Sequence, residues 1–106
     1  MFTIEICGGY CGSLGSLTAF RKIELPCPPF RGLEIRLDGQ YLIVEHSNDG
    51  DFPSISWNCE KREWACHVED VGDYHFRGYS RISQIVKWYE KHGWTVSDFE
   101  DYRRQD

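Results

Sequence analysis

Apolar and polar residues alternate from the very start of this chain. Phe2, Ile4 and Ile6 are separated by Thr3 and Glu5, the period-two pattern of a half-buried strand running into Cys7. Alternation returns over residues 18–25, where Ile23 and Leu25 are spaced by Lys22 and Glu24. Pro26, Pro28 and Pro29 end that strand, because proline has no N–H to give to a ladder. Residues 33–37 and 40–45 then flank Asp38-Gly39, a pair that accepts the positive φ angles of a type I′ hairpin turn. The turn sets a register with Leu37 opposite Gln40, Ile35 opposite Leu42 and Leu33 opposite Val44. Glu34, Arg36, Tyr41 and Ile43 take the more polar face.

A polar loop over residues 46–53 leads to a second hairpin. Ile55, Trp57 and Cys59 alternate with polar residues, as do Trp64, Cys66 and Val68 with Ala65 and His67. With residues 60–63 at the tip, Cys59 faces Trp64 and Trp57 faces Cys66, giving one tryptophan-rich apolar face. Residues 74–77 read as a short strand. Beyond them Ser80 caps a helix that Gly93 ends, and Ile82, Ile85, Val86 and Tyr89 make an amphipathic stripe. Residues 94–98 read as a last short strand, and the charged tail from Phe99 as frayed or as a helical turn. The expected fold is α+β: an antiparallel sheet of five or six strands with one amphipathic C-terminal helix packed on it.

The chain has 106 residues, the size of a single domain covering 1–106. Its 41% apolar and 15% aromatic content is enough to build a core. No apolar run reaches the length of a signal peptide or membrane span, so a soluble cytoplasmic protein with no membrane partner is expected. Five cysteines, an odd number with no framework spacing, fit a reducing compartment. The net charge of −5 argues against nucleic acid, whose phosphates need a basic surface.

One segment departs from ordinary patterning. Cys7-Gly-Gly-Tyr-Cys11-Gly-Ser-Leu-Gly15 reads as an irregular loop leaving the first strand, with two thiols and four glycines. A metal there would draw on Cys59, Cys66 or His67, but the Cys-x₃-Cys spacing is not that of a zinc knuckle. Cys66 and His67 are adjacent on a strand and point to opposite faces. Cysteine catalysis would need a committed base, and His46, His67, His75 and His92 lie on different elements. The glycines match neither the dinucleotide fingerprint nor the Walker loop. Asn48-Asp-Gly-Asp51 lacks the closing glutamate of a calcium loop, and the carboxylates at 60, 63, 69, 70 and 73 form no acid–base dyad. No cofactor, metal ligand or catalytic residue is assigned.

Interaction with another protein remains. The aromatic residues left outside the core pattern include Tyr10, Phe30, Tyr41, Phe52, Tyr79, Trp88 and Tyr102, the residue types that dominate interface hot spots. Acidic groups at Glu69, Asp70, Asp73, Asp98, Glu100 and Asp101 suit a basic partner surface. The expected partner-binding set is Tyr10, Phe30, Tyr41, Phe52, Glu69, Asp70, Asp73, Tyr79 and Trp88. The resulting expectation is a non-enzymatic protein that blocks or neutralises a macromolecular partner. Immunity proteins and phage-encoded inhibitors share this make-up of size and charge, an analogy that does not itself assign a function. A metal- or ligand-binding domain using the Cys7 to Gly15 segment is the alternative, and a cysteine-dependent enzyme a third reading.

Overall fold

A computed structural model describes residues 1–45 and 53–102. It has seven strands, β1 (Phe2–Gly12), β2 (Gly15–Leu25), β3 (Glu34–Leu37), β4 (Gln40–Ile43), β5 (Ile55–Asn58), β6 (Glu63–His67) and β7 (Thr95–Asp101). A 3₁₀ turn (Asp73–Phe76) and one helix, α1 (Ile82–Lys91), lie between β6 and β7. Five strands form a sheet in the order β5-β6-β1-β2-β7, and β3 and β4 form a separate two-stranded sheet. The α+β class stands. The larger sheet is mixed, not antiparallel throughout, because β1 and β6 run parallel, with Ile4 beside Trp64 and Cys7 beside His67. A parallel pair needs a long connection, and the chain between β1 and β6 supplies it. Among the described residues no helix is long and apolar enough to cross a membrane.

The chain divides into two compact units, Met1–Cys7 with Arg21–Glu69 and Gly8–Phe20 with Asp70–Asp106. In the first, Ile4, Ile6, Ile35, Leu42, Val44, Cys66 and Val68 are buried. The β3–β4 hairpin keeps its expected register, Leu37 to Gln40 and Ile35 to Leu42, with Asp38 and Gly39 at φ 52° and 81°. The β5–β6 hairpin does not. Trp57 faces Trp64 and Ile55 faces Cys66, a slip of two residues that keeps the same side chains on each face. The cause lies in the turn: the Asn58 carboxamide oxygen accepts the Glu60 and Lys61 N–H groups at 3.0 Å, and Arg62 takes φ 56°. That turns the chain over residues 59–62. Trp57 is left 44% exposed, so the tryptophan-rich face is only partly core.

In the second unit, the glycine-rich segment is strand and tight turn, not an irregular loop. β1 continues to Gly12, and Val71 joins its edge through Cys11 N–H to Val71 O (3.0 Å) and Val71 N–H to Gly9 O (2.9 Å). The expected strand at 74–77 is instead the 3₁₀ turn, which buries Phe76. Phe76 meets Tyr10, Tyr79 and Trp88 edge-on, each with ring centroids 5.4 Å away. Helix α1 buries Ile82, Ile85 and Tyr89 and packs against β7. Its cap residue is Arg81, not Ser80, because the Gln84 side-chain oxygen accepts both the Ser80 and Arg81 N–H groups (2.8 and 3.1 Å). The helix ends in a Schellman arrangement: Trp94 N–H bonds Tyr89 O (2.9 Å), Gly93 N–H bonds Glu90 O (3.2 Å), and Gly93 sits at φ 88°. The Trp94 and Tyr89 rings meet 5.4 Å apart across it.

β7 runs three residues beyond its expected end. Pairing with β2 holds Phe99 opposite Leu17 and Asp101 opposite Gly15, so the expected frayed tail is ladder as far as Asp101. The register shifts at Thr18/Ala19, where Ser97 is the extra residue and its hydroxyl donates to Thr18 O (3.3 Å).

Candidate functional site

Alternation along β1 places Tyr10 on the buried side, and its ring is 0% exposed. A phenol at such a position needs a partner for its hydroxyl. The Tyr10 hydroxyl donates to Asp73 Oδ1 and accepts the Leu14 N–H (3.3 Å). Ser13, in the β1–β2 turn, donates its N–H to both Asp73 oxygens (3.2 and 3.0 Å) and its hydroxyl to Oδ1 (3.1 Å). Gly12 makes the approach possible: a Cβ there would overlap the Tyr10 hydroxyl and lie 2.6 Å from Asp73 Oδ1.

The charges follow from these contacts. The hydrogen bond from Tyr10, then the Ser13 N–H, hold the Asp73 carboxyl below its ordinary value. Burial, then the carboxylate acceptor, push the Tyr10 hydroxyl above its ordinary value. At neutral pH the pair is a protonated phenol on an ionised carboxylate. A phenol so held is a donor, not a base, and the cluster fastens the start of the 3₁₀ turn to the β1–β2 turn.

Tyr10 is therefore corrected from a surface contact residue to a core residue. Tyr79 and Trp88 are half-buried, both edge-on to Phe76, and Trp88 also stacks on His92 with centroids 4.1 Å apart. Neither presents a free ring. Asp73 is exposed but engaged by Tyr10 and Ser13. Asp70 is exposed as a residue, yet partial burial of its carboxyl raises the pKa above the ordinary value. Phe30, Tyr41 and Glu69 are exposed in the first unit, where the Arg36 guanidinium lies 5.1 Å from the centroid of the Tyr41 ring. Phe52 lies outside the described residues. The expected set thus divides between the two units: of its aromatic members Tyr10 is core, Tyr79 and Trp88 are half-buried in the second unit, and Phe30 and Tyr41 are exposed in the first.

Cys7 and Cys66 lie on the neighbouring strands β1 and β6, but no third ligand joins them among the described residues. Cys7 is half-buried and Cys11 exposed on β1, Cys59 is exposed in the β5–β6 turn, and Cys66 is buried. Burial, then the charge of Cys7, push the Cys66 thiol up to about 11. Among the described residues no group of three or more His, Cys, Asp or Glu side chains could hold a metal ion.

The surface that stands out is on β7. Asp98, Phe99 and Glu100 are all exposed, Phe99 by 55%, and Tyr102 follows at 41%. Strand geometry puts Asp98 and Glu100 on one face and Phe99 on the other. β7 is the last strand of its sheet, and β2 is its pairing partner among the described residues. The acidic residues and Tyr102 were legible as contact candidates; Phe99 was missed because it sits in a segment that reads as a tail. Its place between two acids in a sequence with a strand just before it was the available signal. Compared with known proteins, the chain matches no family model, no curated protein and no solved structure.

Proposed function

We propose that this chain acts without catalysis, by binding a protein partner with a basic surface and covering that surface. The observation that carries the reading is Phe99, 55% exposed between the exposed carboxylates of Asp98 and Glu100 on a sheet-edge strand. An exposed aromatic ring supplies apolar area for an anchor, and the surrounding acids set partner sign and speed encounter. Buried aromatic residues of the second unit hold β7 from behind: α1 packs on it, and Tyr89 and Trp94 fix the turn that leads into it. A rigid presenting strand lowers the ordering cost of binding. The neutralising role, of the kind immunity proteins and inhibitors perform, belongs to the same proposal and places the partner with the chain inside the cell.

The test compares quantitative affinity capture from the native host by the wild-type chain and by Phe99→Ala. A basic protein enriched by the wild type and depleted with the variant supports the reading. Identical captured proteins with both chains would remove β7 as the contact.

A further inference from the structure

We infer that the partner contributes an extended basic segment that adds to the outer edge of β7 as a further strand. The inference rests on the partner-binding reading above and specifies how β7 is used. An edge strand offers alternate N–H and C=O groups along its outer side, a template for main-chain pairing. Among the described residues β7 is terminal in the five-stranded sheet, and its pairing with β2 is regular from Thr18–Asp98 to Gly15–Asp101. The Ser97 bulge lies just before this stretch, so Asp98 to Glu100 forms an unbroken run held in register from the inner side.

Side-chain placement decides the occupant. Asp98 and Glu100 share one face, two residues apart, while Phe99 projects from the other. An added strand would meet them with cations two residues apart and an apolar side chain between, on the Phe99 face. A second copy of this chain fits poorly, because antiparallel self-pairing of β7 sets acids against acids. The acidic residues that block self-association therefore select a basic strand.

The probe is a synthetic peptide as long as β7, seven residues, alternating lysine and valine and carrying a fluorescent label. Binding to the full chain at low salt is read by fluorescence anisotropy. Two further peptides carry N-methyl groups on one or the other alternate set of amides. Strand addition requires that one methylated set weaken binding by about tenfold or more while the other binds like the parent. A peptide of the same composition with its lysines in one block should bind more weakly than the alternating one. Equal binding by both methylated peptides and the parent would overturn strand addition and leave an electrostatic contact, with the partner-binding reading intact. Self-association through β7, seen by sedimentation and abolished by Phe99→Pro, which removes an edge N–H, would also overturn it, in favour of a second copy. Parent-peptide binding that is absent, or unchanged in the Asp98→Asn, Glu100→Gln variant, would remove the basic-partner surface and the proposed function together.

Discussion

The hydroxyl of Tyr10, buried in β1, donates to the carboxylate of Asp73, 63 residues further along the chain. This bond, with the Ser13 contacts to the same carboxylate, ties the 3₁₀ turn to the β1–β2 turn. Tyr10→Phe keeps the ring against Phe76 but leaves Leu14 N–H and Asp73 without the phenol, and should lower stability by about 1 kcal/mol. Chemical denaturation measures it, and a cycle with Asp73→Asn should show the two effects to be coupled.

Acid should weaken the same contact. The Asp73 pKa is lowered in the folded chain from an ordinary value of 3.8, so its contribution is present above that value and is lost as pH falls through the lowered one. The stability gap between wild type and Asp73→Asn should therefore be constant near neutral pH and shrink below pH 3.8, as followed by denaturation at a series of pH values.

Gly12→Ala probes the space around that cluster. The new Cβ would overlap the Tyr10 hydroxyl and crowd Asp73 Oδ1, and overpacking of this kind costs about 1–3 kcal/mol. A lowered Tm is expected, with partial recovery when Gly12→Ala is combined with Tyr10→Phe, which removes the overlapping atom.

Thiol labelling should sort the cysteines by burial. Cys66, buried and with its pKa pushed up to about 11, should resist iodoacetamide in the native chain and react after unfolding. Exposed Cys11 and Cys59 should label first, as read by mass spectrometry of peptides.

Gly93→Ala tests the turn that aims β7. Position 93 sits at φ 88°, where a side chain costs about 1–2 kcal/mol, and the loss should appear in the denaturation midpoint.

Locally encoded features were legible in the sequence. Asp38-Gly39 specifies its own turn, and the 3.6-residue spacing of Ile82, Ile85 and Tyr89 specifies the buried side of α1. Pairings set by distant residues were not. Nothing near Ile4 or Trp64 announces that they lie side by side in parallel strands. The β5–β6 slip arises from the Asn58 side chain acting as a turn former, which the alternation of apolar residues does not record. Tyr10 read as exposed because four glycines hid the strand period around it. Phe99 read as tail because its strand character comes from pairing with Leu17.

A basic partner that docks on β7 should cover that strand. Amide hydrogen exchange of the chain, alone and bound to the protein retained by affinity capture, reads that coverage. Outward amides of an edge strand exchange readily until another strand or surface covers them. New protection is expected in Thr95–Asp101 on binding, with the exposed segments around Phe30 and Tyr41 unchanged. New protection at Phe30 and Tyr41, with β7 exchanging as in the free chain, would contradict docking on β7.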